Sequence, residues 1–161
     1  GLQLLREEIL GHDAFDDAFR TYVRRWAFKH PTPADFFRTM EDVGGRRLDW
    51  FFREWFVENE HFDQAVDTVV VTTVGDTTTM QVAYANRARG VLPIRARITL
   101  SDRSTVDYNY PAEVWSTNTV RYIRQYRFVG KKPVKVELDP DKRIVDIDRT
   151  NNQWTAPGFV P

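Results

Sequence analysis

The 161 residues contain no cysteine. That excludes disulfide bridges and thiolate-held metal centres, and leaves the redox compartment open. Neither sign of charge is in excess, since 23 Lys and Arg face 23 Asp and Glu. A formal charge of zero argues against a partner held by general electrostatics, such as nucleic acid or an anionic membrane. No apolar run approaches the ~18 residues of a membrane span. Histidine is scarce: His12, His30 and His61 are widely separated, and no pair sits one helical turn apart around a glutamate. The helical zinc motif is therefore missing from these residues. A Gly-rich phosphate loop, a nucleophile elbow, internal repeats and low-complexity runs are missing too.

What is present is a core-forming composition, 42% hydrophobic, and one sharp change of period. Up to Val57 the apolar residues recur every three to four positions; from Val66 to Ile147 they recur every second position. A helical block is followed by a block of strands. The junction, Leu48-Asp49-Trp50-Phe51-Phe52-Arg53-Glu54-Trp55-Phe56, is a helix loaded with large rings that must be buried.

The helical block divides at its punctuation. A first helix over Leu2 to Leu10 stops at Gly11. A second starts with Asp13 as N-cap, has Asp16 and Asp17 in its first turn, and ends near His30-Pro31. Phe15, Phe19, Tyr22 and Trp26 form its stripe. Thr32-Pro33-Ala34-Asp35 opens a third helix with a cap, a first-turn proline and a capping-box acid, and Gly44-Gly45 closes it. A fourth covers Leu48 to Val57, with Leu48, Phe51, Phe52 and Trp55 inside and Arg53, Glu54 and Glu58 in water. Phe15, Phe19, Tyr22, Trp26, Phe51, Phe52 and Trp55 are the expected helical core.

In the second block, strands are expected around Val66–Thr73, Met80–Tyr84, Ile94–Leu100 and Val106–Tyr110. A longer one runs from Val120 to Phe128 with an irregularity near Ile123, then come Val134–Leu138 and Ile144–Ile147. Six or seven strands at this spacing suggest a β-sandwich. The fold class expected is α+β: an N-terminal antiparallel helical bundle over 1–60, an immunoglobulin-like antiparallel β-sandwich over 61–154, and a loose tail over 155–161. The chain opens already inside a helical pattern, as expected for a piece of a longer protein.

Several clusters invite chemistry, and each has a plainer reading. Asp13, Asp16 and Asp17 suggest a metal cluster but suit a helix N-terminus. Asp139, Asp141, Asp146 and Asp148 resemble a calcium loop, yet its glycine and terminal glutamate are absent. Arg20, Arg24, Arg25, Arg46, Arg47 and Arg53 suggest anion binding, but acids are interspersed among them. Trp115, Tyr122 and Tyr126 are expected to be exposed, as a contact surface. No residue is assigned a catalytic, cofactor-binding or metal role.

Four passages together carry a family resemblance. They are Leu4-Leu5-Arg6-Glu7-Glu8-Ile9-Leu10-Gly11; Phe15-Asp16-Asp17-Ala18-Phe19-Arg20-Thr21-Tyr22; Thr32-Pro33-Ala34-Asp35-Phe36-Phe37 followed by Leu48-Asp49-Trp50-Phe51-Phe52-Arg53-Glu54-Trp55; and the strand block with Glu137-Leu138-Asp139-Pro140 and Val145-Asp146-Ile147-Asp148. In order and spacing they resemble the C-terminal portion of the gluzincin aminopeptidases, the membrane alanyl aminopeptidase family. The resemblance implies a parent zinc metallopeptidase that trims peptide substrates. Its zinc ligands, catalytic glutamate and catalytic tyrosine would lie upstream of Leu2, and Tyr22 would sit on a later packing helix. This chain would then be inactive alone, bind no zinc itself, and partner the upstream catalytic domain of the same protein. The alternative is a non-catalytic helical adaptor with an immunoglobulin-like protein-binding module.

Overall fold

The structure is a computed structural model and describes residues 1–160. The chain forms two compact units, one spanning Gly1–Glu60 and one beginning at His61.

In the first unit, helix α1 (Leu2–Leu4) continues as a π turn over Leu5–Ile9, and α2 spans His12–Trp26. Gly11 stands between them at φ 83°, a conformation that favours glycine, and it rather than Asp13 occupies the N-cap of α2. The helix ends four residues before the expected His30, because Ala27 is extended and Phe28 is left-handed at φ 62°. Helix α3 (Pro33–Gly44) begins as its sequence dictates. The Asp35 carboxylate accepts from the Thr32 N–H at 2.8 Å and the Thr32 hydroxyl at 2.7 Å, and Pro33 fills the first turn. Gly45, left-handed at φ 68°, closes it. Helix α4 (Asp49–Phe52) continues as a π turn over Arg53–Val57.

The core of this unit corrects the aromatic expectation in part. Phe15, Phe51 and Phe52 are buried with Leu4, Leu5, Ile9, Met40 and Leu48. Phe37 stacks on Phe52 with centroids 4.1 Å apart, and Phe36 meets Tyr22 edge-on at 5.0 Å. Tyr22, Trp26 and Trp55 are only half-buried, and Phe19 is 42% exposed. Glu54, expected in water, is buried. The π turn alters the angular position of residues after Phe52, so an α-helical count from Leu48 puts Glu54 on the wrong face.

The described residues of the second unit form seven strands: β1 (Gln64–Val74), β2 (Thr77–Asn86), β3 (Ile94–Leu100), β4 (Thr105–Tyr110), β5 (Arg121–Val129), β6 (Pro133–Leu138) and β7 (Gln153–Thr155). They form two antiparallel sheets, ordered β1-β2-β5 and β4-β3-β6-β7. Helices followed by antiparallel sheets make the chain α+β. The inward positions of both sheets share one buried cluster, with Met80, Val82, Tyr84, Tyr126 and Phe128 from the first and Ile94, Ile98, Val136 and Leu138 from the second.

Three expectations are corrected here. Strand β5 runs without irregularity, with Ile123 opposite Ala83; the register shifts lie instead between Val66 and Thr68 and between Thr99 and Leu100. Residues 144–147 form no strand. Their alternation imitates one, but Ile144 is tied down inside a loop and Ile147 is 63% exposed. The last strand is β7, so Thr155 is not loose: it pairs with Lys135, and the Ala156 N–H donates to the Val134 carbonyl at 2.8 Å. Pro161, the end of the expected tail, lies outside the described residues. No helix among the described residues is long and apolar enough to cross a membrane.

Candidate functional site

The groups with catalytic or metal-binding potential are dispersed. His12, His30 and His61 are all exposed, at the start of α2, beyond its end, and at the head of the second unit. Two acids of α2 hold arginines, one on the preceding turn and one on α2 itself. Asp16 takes a bidentate pair from Arg6, at 2.7 and 2.9 Å, and Asp17 takes Arg20 at 2.8 Å. The Arg6 guanidinium holds the Asp16 carboxyl below its ordinary range. Among the described residues no three His, Asp or Glu side chains converge as a metal site.

The arginines meet local acceptors. Arg24 donates to Thr21, Arg46 to the Ile9 carbonyl, and Arg47 to Asp49 at 2.9 Å. Arg53 lies 3.7 Å from Glu58. Arg20, Arg24, Arg25, Arg47 and Arg53 are exposed and form ordinary solvated pairs or none in common.

The four acids from Asp139 to Asp148 separate into two structural knots. Asp139 is 5% exposed and left-handed at φ 43°. Its carboxylate accepts from the Arg143 and Ile144 N–H groups, at 2.8 and 3.0 Å, and from the Arg149 guanidinium at 3.0 Å. Asp141 faces Arg97 at 3.4 Å. Asp146 takes the Asn152 amide at 3.0 Å and the Gln64 N–H at 3.3 Å, and Asp148 caps the short turn through the Thr150 N–H at 3.0 Å. These carboxylates hold the loop between β6 and β7 in place of a strand.

Two cavities deserve comparison. A small, partly open one of about 50 Å³ lies beside Arg95, Arg97, Asp107, Asn109, Asp139 and Asp141, room for water rather than for an organic substrate. A wide, open depression of about 590 Å³ lies by Val74, Thr77, Thr79, Gln125, Tyr126 and Arg127. Its lining offers no acid–base pair beside a nucleophile.

The expected aromatic contact surface is corrected. Trp115 is 1% exposed and Tyr126 is 5% exposed, while Tyr122 is half-buried. Tyr126 falls on the inward register of β5, opposite Met80. Trp115 sits on a 3-10 turn (Ala112–Trp115) and its indole N–H donates to the Leu92 carbonyl at 2.8 Å. No family profile matches this chain, and no curated protein matches it.

Beside its charged surface the helical unit exposes several large apolar side chains. Phe19 is 42% exposed, Val23 49%, Phe56 50% and Val57 72%, and Phe28 is fully open to solvent. Sequence periodicity puts Phe19 inside; its ring stacks on Phe15 at 5.9 Å yet keeps 42% of its surface open. Phe19 and Val23 lie one helical turn apart and continue toward Trp26.

Proposed function

We propose that this chain is the C-terminal structural region of a zinc-dependent aminopeptidase-like metallopeptidase, with the zinc ligands and catalytic residues carried by an upstream domain of the same protein. The observation that carries this reading is the number of large apolar side chains that the helical unit leaves exposed: Phe19, Val23, Phe28, Phe56 and Val57. Solvated helices rarely keep such a surface without a partner. An upstream catalytic domain would bury it, and the helices would wall that domain's cleft. The four passages quoted above, in their order, point to the same family.

The second unit is read as the immunoglobulin-like β-sandwich that follows the catalytic domain. Its strand order, β1-β2-β5 and β4-β3-β6-β7, together with a core contributed by both sheets, supports this. The parent would bind zinc, use it to activate water, and remove N-terminal residues from peptides.

The contact-module alternative rested on Trp115, Tyr122 and Tyr126, and two of these rings are buried. The test is the gene ahead of the codon for Gly1, with an assay of its whole product on an aminoacyl anilide. A His-Glu-x-x-His helix and hydrolysis support the proposal. Absence of both overturns it.

A further inference from the structure

A sheet edge presents unpaired backbone N–H and C=O groups, which proteins blunt by shortening, charge, proline or a bulge. The edges here are β1 and β5 in one sheet and β4 and β7 in the other. Strand β7 has three residues; β5 carries Arg121, Arg124 and Arg127; β4 carries Asp107, paired with Arg97 at 2.7 Å. The first half of β1 is interrupted at Asp67, between Val66 and Thr68. The second half, Thr68–Val74, has no such guard. All of its residues are uncharged and β-branched, and Val70, Val71 and Val74 are 51%, 38% and 76% exposed. Among the described residues, its backbone bonds only to β2.

We infer that this half-strand is an interface between two copies of the chain, in which Thr68–Val74 pairs antiparallel with the same segment of the second copy. An occupant of this edge must be extended, uncharged and β-forming, and the segment itself meets all three conditions. Pairing β1 with β5 of another copy would bring arginines against valines and propagate without closing, whereas β1 against β1 closes on a two-fold axis. With Val71 opposite Val71, Val70 lies across from Thr72 and Val69 across from Thr73, so β-branched pairs meet on both faces. One joined edge makes a small contact, so the dimer is weak and dissociates on dilution.

The absence of cysteine makes the test clean. In the whole chain, Val71→Cys places two thiols opposite each other, within reach of a disulfide. Oxidation is expected to yield a covalent dimer, while Ile123→Cys on the outer face of β5 stays monomeric. Sedimentation equilibrium of the unaltered chain should show a concentration-dependent dimer. Val70→Lys and Val71→Lys should each weaken it on the order of tenfold or more, with circular dichroism unchanged. A monomer at every concentration, equal cross-linking at Ile123→Cys, or an open-ended ladder of species overturns the inference.

Discussion

The phenol oxygens of Tyr84 and Tyr126 lie 2.7 Å apart, and the Tyr110 hydroxyl donates to Tyr126 at 3.0 Å. Tyr84 and Tyr126 belong to one sheet and Tyr110 to the other, so a chain of hydroxyls crosses the core of the second unit. A buried hydroxyl left alone is costly. Tyr126→Phe should therefore destabilise the unit by about 1–3 kcal/mol. The double variant Tyr84→Phe, Tyr126→Phe should lose less than the sum of the single losses, because it removes both ends of the bond. Urea unfolding measures this, and strict additivity would contradict it.

Alkaline pH probes the same pair. Burial pushes both phenols above their ordinary value of 10.0. The unfolded chain therefore releases these protons at lower pH than the folded one. Their contribution is complete below about pH 10 and is lost as pH rises from there toward the raised folded values. Urea midpoints should fall above pH 10, with tyrosinate absorbance from this pair appearing only with unfolding. The fall should be smaller in the double phenylalanine variant.

The helical core predicts an order of losses. Phe51 is fully buried, Trp55 is half-buried and Phe19 is 42% exposed. Phe51→Ala should cost about 3–5 kcal/mol. Trp55→Ala should cost less than Phe51→Ala, and Phe19→Ala least in the isolated chain. Thermal or urea unfolding ranks them; a Phe19 loss equal to that of Phe51 would show that Phe19 is packed in solution.

Asp139 separates charge from backbone. Its φ of 43° suits asparagine but not alanine. Asp139→Asn should lose about 2 kcal/mol, the scale of charge-assisted hydrogen bonds, and Asp139→Ala should lose more. Equal losses in urea unfolding would mean that the left-handed backbone contributes nothing.

Much of this architecture was legible in residue order. The Thr32-Pro33-Asp35 start, the Gly45 stop and the switch from helical to alternating period near residue 60 act through local physics, and the structure follows each of them. Misreadings arose where a distant contact decides. Ile144 and Ile147 alternate like a strand, but Asp139 and Arg149 fold that segment into a loop. Tyr126 reads as surface only until its inward register on β5 is known. Glu54 moves inside through a π turn that no periodicity announces. The candidate acids serve local structure: Asp16 and Asp17 hold arginines, and Asp139, Asp146 and Asp148 hold backbone N–H groups. The exposed helical face was hidden by its own apolar pattern, which looks the same whether a stripe is covered by this chain or by another body.

The central claim concerns a zinc centre outside these residues. The most direct test is the metal content, after dialysis, of the full gene product beside that of residues 1–161 alone. The account predicts one zinc per full-length chain and none in the shorter piece. A full-length product without zinc, or stoichiometric zinc in the shorter piece, would contradict it.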